Sequence, residues 1–178
     1  MITVAILTIS DSAVAGTRED LCGPSLRKRC EELGWIVTER ILTNDDENAI
    51  AAILADRADR FTASLILTTG GTGVASRDVT PEATRRVLDR EIPGIPELVR
   101  LEGRAQTKFS ALSRALAGSR KRSLIVNLPG SPKGALHSLN VIAELVPHVI
   151  QLLQGKTEHT AGGNDGTVVE TQQSGVTS

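Results

Sequence analysis

The residues best suited to chemistry gather in Thr69-Gly70-Gly71-Thr72-Gly73 and, just beyond, in Arg77-Asp78. Three glycines in four residues let backbone N–H groups approach a ligand and point at anionic oxygens. Arg77 and Asp78 add a cation and a carboxylate to the same loop. A glycine turn after a strand is often only a turn; hydroxyls, an arginine and an aspartate packed into it point to a ligand. The loop is not the dinucleotide fingerprint, which needs G-x-G-x-x-G opening a helix. Gly155-Lys156-Thr157 does not end a P-loop either, because Ile150 stands where the first glycine belongs. Further candidates are Asp11 and Ser12, Asp45 and Asp46, and the stretch Asn127 to Lys133, which contains Pro129, Gly130 and Ser131. Asp45 or Asp46 paired with Asp78 would, together with phosphate oxygens, suit Mg²⁺, which favours hard oxygen ligands. Capping of a following helix explains the same acids structurally, as ordinary turn chemistry explains Asp11 and Ser12.

Elements that position these residues are legible around them. Ile2 to Ile9, Trp35 to Leu42, Ser64 to Leu67 and Ser123 to Leu128 read as strands, the last two as continuous apolar runs buried on both faces. Each is followed by one of the polar clusters. Gly23-Pro24 starts a helix that Gly34 ends. Thr80 is expected to cap a helix running to Asp89, with Pro81 in its first turn. Pro96 to Lys108 reads as another helix, and Ser113 to Gly118 as a short edge strand. Pro132 opens the closing helices, which Pro147 is expected to interrupt. Alternating strands and helices predict an α/β domain, a three-layer sandwich with a mostly parallel central sheet. Parallel sheets bind ligands at the carboxyl ends of their strands. The four clusters therefore share one mouth, suited to a polyphosphate with a metal ion.

Composition narrows the classes. The chain has 178 residues and a net charge of −1, so no global charge draws it to nucleic acid or to a membrane surface. Aromatic residues make up 2%, too few for a base-stacking platform. Cys22 and Cys30 fall on one predicted helix about 12 Å apart, beyond disulfide reach. Both are expected to be reduced thiols in a cytoplasmic protein. Met1 leads straight into a strand pattern, so no signal peptide is expected. His137, His148 and His159 are scattered without metal spacing. From Arg100 to Arg122 a basic run reads either as solvated surface or as a wall attracting a phosphorylated ligand. The domain is expected to span 1–156, and 157–178 to be a disordered polar tail without chemistry.

Thr69-Gly70-Gly71-Thr72-Gly73 followed by Arg77-Asp78-Val79-Thr80-Pro81-Glu82 resembles the signature of the MogA/MoaB-type molybdenum cofactor proteins, a family that includes plant and gephyrin G domains. Ile9-Ser10-Asp11-Ser12, Ser113-Arg114-Ala115 and Asn127-Leu128-Pro129-Gly130-Ser131-Pro132 agree, in order, over residues 3–155. The resemblance implies a molybdopterin-binding-domain-like fold and a Mg²⁺-dependent molybdopterin adenylyltransferase, converting ATP and molybdopterin to adenylyl-molybdopterin and pyrophosphate. It also implies a homotrimer and hand-over to a molybdate-insertion enzyme. Of the family's two catalytic aspartates, one is Asp78. The other is Asp45 or, with a slip of one residue, Asp46, because Asn44 replaces the motif's proline. Asp45 and Asp78 would orient Mg²⁺; the Gly70 to Gly73 amides would hold a phosphate. Asp11, Ser12, Ser113, Asn127, Pro129, Gly130, Ser131 and Lys133 would contact substrate. Some relatives keep the fold without the reaction, so the alternative is a non-catalytic molybdopterin-binding or scaffold protein.

Overall fold

The computed structural model describes residues 1–155; the tail expected at 157–178 lies outside the described residues. Strands are β1 (Thr3–Ile9), β2 (Ile36–Thr43), β3 (Leu65–Thr69), β4 (Arg90–Glu91), β5 (Ala117–Arg120) and β6 (Ser123–Leu128). They form one sheet in the order β2-β1-β3-β6-β5-β4. The first four in that order run parallel, and β5 and β4 add an antiparallel border. The mostly parallel sheet expected from the sequence is thus present. Helices are α1 (Asp11–Val14), α2 (Cys22–Glu32), α3 (Glu47–Asp59), α4 (Thr80–Val87), α5 (Gly94–Gly103), α6 (Pro132–Ile142) and α7 (Leu145–Leu153), with a 3₁₀ turn at Lys108–Leu112.

Strand alternation sorts the core into two layers. Val4 and Ile6 of β1, Leu65 and Leu67 of β3, and Leu124 and Val126 of β6 face α2, α5, α6 and α7. Ala5 and Leu7, Ile66 and Ile125 point the other way, onto α3 and α4. Each fully buried Leu or Ile contributes roughly 1.5–3 kcal/mol, and the central strands β3 and β6 are buried along their whole length. No single helix among the described residues is long and apolar enough to cross a membrane.

Several boundaries differ from expectation. The break between closing helices falls at Ala143 and Glu144, not at Pro147. Pro147 sits in the first turn of α7, where its missing N–H has no intrahelical partner to lose. The strand expected at Ser113 to Gly118 begins at Ala117, and it is not an edge strand, because β4 pairs along its outer side. The register brings the strand ends level, pairing Ile9 with Thr43, Thr8 with Thr69 and Thr69 with Leu128. All four parallel strands therefore deliver their following loops to one end.

Candidate active site

At the end of β1, Ser10 caps α1 by accepting from the Ala13 amide at 3.2 Å. Asp11 is left free to reach sideways. Its Oδ1 accepts from the Asp45 amide at 3.0 Å, and Asp45 Oδ2 accepts from the Asp11 amide at 2.9 Å. This reciprocal link ties the loop after β1 to the loop after β2. Arg77 adds an ion pair to Asp11 from the central loop. The Asp45 amide lowers the Asp11 carboxyl below its ordinary range; burial opposes this and Arg77 reinforces it. Asp46 does something else. Its Oδ1 accepts from the Ala49 amide at 2.7 Å and caps α3. The two neighbouring aspartates thus divide: Asp46 holds a helix end, and Asp45 lines a cleft.

The central loop leaves β3 through Gly70 (φ +106°) and Gly71 (φ +61°), conformations that favour glycine. Contrary to the expectation for Thr80, it is Val79 that occupies the cap position of α4. The Thr80 hydroxyl instead donates back to the Gly70 carbonyl at 2.9 Å, and its amide to the Gly71 carbonyl at 3.1 Å. The loop is so closed that a Cβ on Gly71 would lie 2.4 Å from Thr80 Oγ1 and 3.2 Å from Asp45 Oδ1. A Cβ on Gly73 would lie 2.8 Å from Asp78 Oδ2. Both carboxylates therefore stand over the glycine loop. Asp78 Oδ2 accepts from the Ala75 amide at 2.8 Å. Asp45 and Asp78 each anchor one oxygen on a backbone N–H, and their Oδ1 atoms accept no hydrogen bond among the described residues.

Arg114 grips this loop from outside. Its amide donates to Thr72 O at 2.9 Å and its Nε to Gly73 O at 2.6 Å. Its terminal nitrogens reach Asp78 O and the Glu82 carboxylate. Burial works to raise the Glu82 carboxyl, but the hydrogen bond and charge of Arg114 hold it below its ordinary range. The basic run is largely structural in the same way. Arg120 and Lys121 pair with Asp59, and Arg122 lies over the Phe61 ring.

Two clefts open on either side of a ridge formed by Gly71 and Gly130, which line both. The larger, about 380 Å³, takes in Thr72, Gly73 and Asp78 from the central loop. Ser113 and Ser131 complete its polar side; Val99, Phe109, Leu112 and Pro129 make an apolar wall. The smaller, about 240 Å³, is lined by Gly70 and Asp45 with Arg18 and Cys22. A Cβ on Gly130 would come within 3.2 Å of Gly70 Cα, so the two loops meet backbone to backbone.

Not every candidate reaches the clefts. Asn127 is buried and spent. Its amide donates to Thr68 and Thr84 Oγ1, both at 2.9 Å, and its Oδ1 accepts from Leu116 N at 3.1 Å. It ties β6 to β3, to α4 and to Leu116 just before β5. Ser12 pairs with Ser10, and Lys133 is on α6; neither lines a cleft. Ser131 both lines the larger cleft and caps α6, accepting from Gly134 N at 3.2 Å. Arg18, Phe109 and Leu112 escape a reading of the sequence, because nothing in their local pattern separates them from ordinary surface.

A family model described as the probable molybdopterin binding domain matches residues 5–148. The chain belongs to this family. Its similarity to other molybdopterin binding domains extends over most of its length. It is 36% identical to a molybdopterin adenylyltransferase of Helicobacter pylori strain J99, covering 86% of this chain and 89% of that one. It is 41% identical to the molybdenum cofactor synthesis protein cinnamon of Drosophila melanogaster over 85% of this chain, and spans only 26% of that longer protein. The crystal structure of the molybdopterin biosynthesis enzyme MoaB from Thermus thermophilus superposes with a TM-score of 0.82 at 47% identity, over 87% of this chain and 98% of that one. The α/β fold expected from the motifs is therefore the fold of this molybdopterin-binding family.

Proposed function

We propose that this chain transfers the adenylyl group of ATP to the terminal phosphate of molybdopterin and releases pyrophosphate. The observation that carries the reading is the ridge. Two clefts of different character meet where no side chain stands, flanked by carboxylates that each hold one oxygen in reserve. Two substrates lodged in separate clefts meet there by their phosphate ends. An oxygen of the molybdopterin phosphate attacks the α-phosphorus of ATP. The bond from that phosphorus to the bridging oxygen breaks, and pyrophosphate leaves with the electron pair.

Such a transfer depends on alignment and on neutralising charge rather than on a protein nucleophile. The Gly70 amide donates to Leu128 O at 3.3 Å, which leaves the amides of Gly71, Thr72 and Gly73 to approach phosphate oxygens. Mg²⁺ would come with ATP as part of the substrate and would supply charge neutralisation at the phosphates. It is commonly held by one or two carboxylates, phosphate oxygens and waters, so the free Oδ1 atoms of Asp45 and Asp78 fit it without a third carboxylate. Among the described residues no group of three or more His, Cys, Asp or Glu is arranged as a metal cage. Arg77, paired with Asp11 at the mouth, is a cation available to the leaving pyrophosphate. The reading extends to a cytoplasmic homotrimer that hands its product to a molybdate-insertion enzyme, as the family resemblance implies.

The test is pyrophosphate release from ATP and Mg²⁺, with and without molybdopterin. Release should require molybdopterin and fall about 10²–10³-fold in Asp78→Asn, the scale of removing one electrostatic stabiliser. Molybdopterin binding without any pyrophosphate would replace this reading with the non-catalytic binder.

A further inference from the structure

The smaller cleft is unevenly charged. Three carboxylates line it, those of Glu19, Asp20 and Asp45. Asp20 is spent on the fold: its Oδ2 accepts from Thr8 Oγ1 at 3.1 Å and its Oδ1 from the Gly23 amide at 2.9 Å. Arg18 is the one cation lining this cleft among the described residues. The turn that carries it is fixed at its base, where the Thr17 and Arg18 amides both donate to Ser12 O, at 3.0 and 3.1 Å. Its guanidinium makes no ion pair among the described residues. The other arginines of the site differ. Arg77 shares its charge with Asp11, Arg114 with Glu82, and Arg100 donates to the Ser113 and Ala115 carbonyls. The charge of Arg18 is also felt at the cleft wall. Burial pushes the Cys22 thiol up and the Asp20 charge adds to that, while the Thr69 hydroxyl and the Arg18 charge oppose it.

Displacement at phosphorus sets the attacking and leaving oxygens roughly in line. With the α-phosphorus over the Gly71–Gly130 ridge, an attacker arriving from one cleft sends the leaving group into the other. The larger cleft, with its apolar wall, suits an acceptor that carries a ring system. We infer that the smaller cleft binds magnesium pyrophosphate and that Arg18 is its cationic contact. This rests on the adenylyl-transfer reading for the direction of the displacement. A guanidinium offers a planar fork of donors that matches phosphate oxygens. Bare pyrophosphate would meet three carboxylates and one guanidinium, and the like charges repel it. With Mg²⁺ its charge is largely neutralised, the free Oδ1 of Asp45 has a cation to meet, and the Gly71 amide lies in the same cleft. The site therefore selects the metal complex over the bare anion.

The experiment measures binding apart from turnover, by calorimetric titration of the full chain with pyrophosphate, with and without Mg²⁺. Pyrophosphate should bind with Mg²⁺ present and about tenfold or more weakly without it. Arg18→Ala, in an exposed turn, should weaken the Mg²⁺-dependent binding about tenfold, the effect of one charge-assisted contact that water partly replaces. Arg18→Lys keeps the charge without the fork and should recover part of the loss. Arg27→Ala removes a charge from the exposed side of α2, outside both clefts, and should change nothing. Unchanged affinity in Arg18→Ala overturns the assignment. So does equal weakening in Arg27→Ala, tighter binding of bare pyrophosphate than of its Mg²⁺ complex, or no binding by the wild-type chain. In each of those cases molybdopterin-dependent pyrophosphate release would still stand by itself. Arg18-dependent binding in a chain that releases no pyrophosphate would keep the cleft as a polyphosphate site and remove the adenylyl-transfer reading.

Discussion

Arg114→Ala offers a sharp separation of stability from activity. The substitution leaves the backbone bond from residue 114 to Thr72 and deletes the guanidinium contacts to Gly73, Asp78 and Glu82. Hydrogen bonds to charged groups contribute about 1.5–3 kcal/mol each when water is excluded. Here the Arg114 and Glu82 side chains are 38% and 39% exposed. Water therefore replaces much of what is lost, and the net destabilisation should be about 1–2 kcal/mol. Activity should suffer more. The released carbonyls belong to the residues that aim the glycine amides and the Asp78 carboxylate, and a displacement of about 1 Å in such groups costs about 10²-fold in rate. That corresponds to about 2.7 kcal/mol in the barrier. Arg114→Lys restores a charge for Glu82 but lacks the planar fork that spans two carbonyls and a carboxylate. Its rate should fall between the other two. The assays are urea unfolding and pyrophosphate release at saturating substrate, under conditions where each variant is fully folded. Turnover in Arg114→Ala within about threefold of wild type, on a scale where tenfold is about 1.4 kcal/mol, would refute the argument that this side chain sets the loop.

The adjacent aspartates should separate cleanly. Asp46→Ala should lose about 1 kcal/mol of stability, the ordinary value of a helix cap, and keep its turnover, whereas Asp45→Asn should keep most of its stability and lose turnover in the pyrophosphate assay. Acid sensitivity should trace in part to Asp59. Its carboxyl is held at about 2, against 3.8 ordinarily, by the hydrogen bond from Arg120 and then that from Lys121. A carboxyl depressed on folding stabilises the folded state above its unfolded value and loses that contribution as pH falls through the folded one. Urea midpoints should therefore drop more steeply between about pH 4 and pH 2 in wild type than in Asp59→Asn; equal slopes would count against the ion cluster.

The parts of the fold that are legible in the sequence carry strong local signals. The runs of β3 and β6 are apolar throughout because both faces are covered, and Ser131-Pro132 marks a helix start by cap and ring geometry alike. What escapes has a physical reason in each case. Helix α1 is too short for any periodicity to develop, and β4 has only two residues. Ala117 to Arg120 has no strand-forming character. Gly118 sits there because a Cβ would meet Arg90 O at 2.4 Å, a constraint imposed by a neighbouring strand. Thr80 looks like a cap because Thr-Pro-Glu begins helices. In the structure the helix begins at Thr80 itself, Val79 holds the cap position, and the Thr80 hydroxyl donates to the Gly70 carbonyl. The site divides in the same way. Glycines and acids announce themselves by type, but nothing local signals that Asn127 turns into the sheet or that Asp46 caps while Asp45 does not. The partners of Asn127, and the Asp11 amide that holds Asp45, lie far away along the chain.

The same distance has a consequence for synthesis. Strand β3 pairs with β1 on one side and on the other with β6, where Leu65 meets Leu124 and Thr69 meets Leu128. The loop that follows β3 is gripped by Arg114. A chain emerging from the ribosome therefore exposes an apolar central strand, open on one edge, until nearly all of the domain has been made. Contacts this remote close slowly, and uncovered strands in waiting are prone to aggregate. The glycine loop, although translated before Arg114, takes its working shape only afterwards, so a nascent or truncated chain lacking the later segment carries the motif without its architecture.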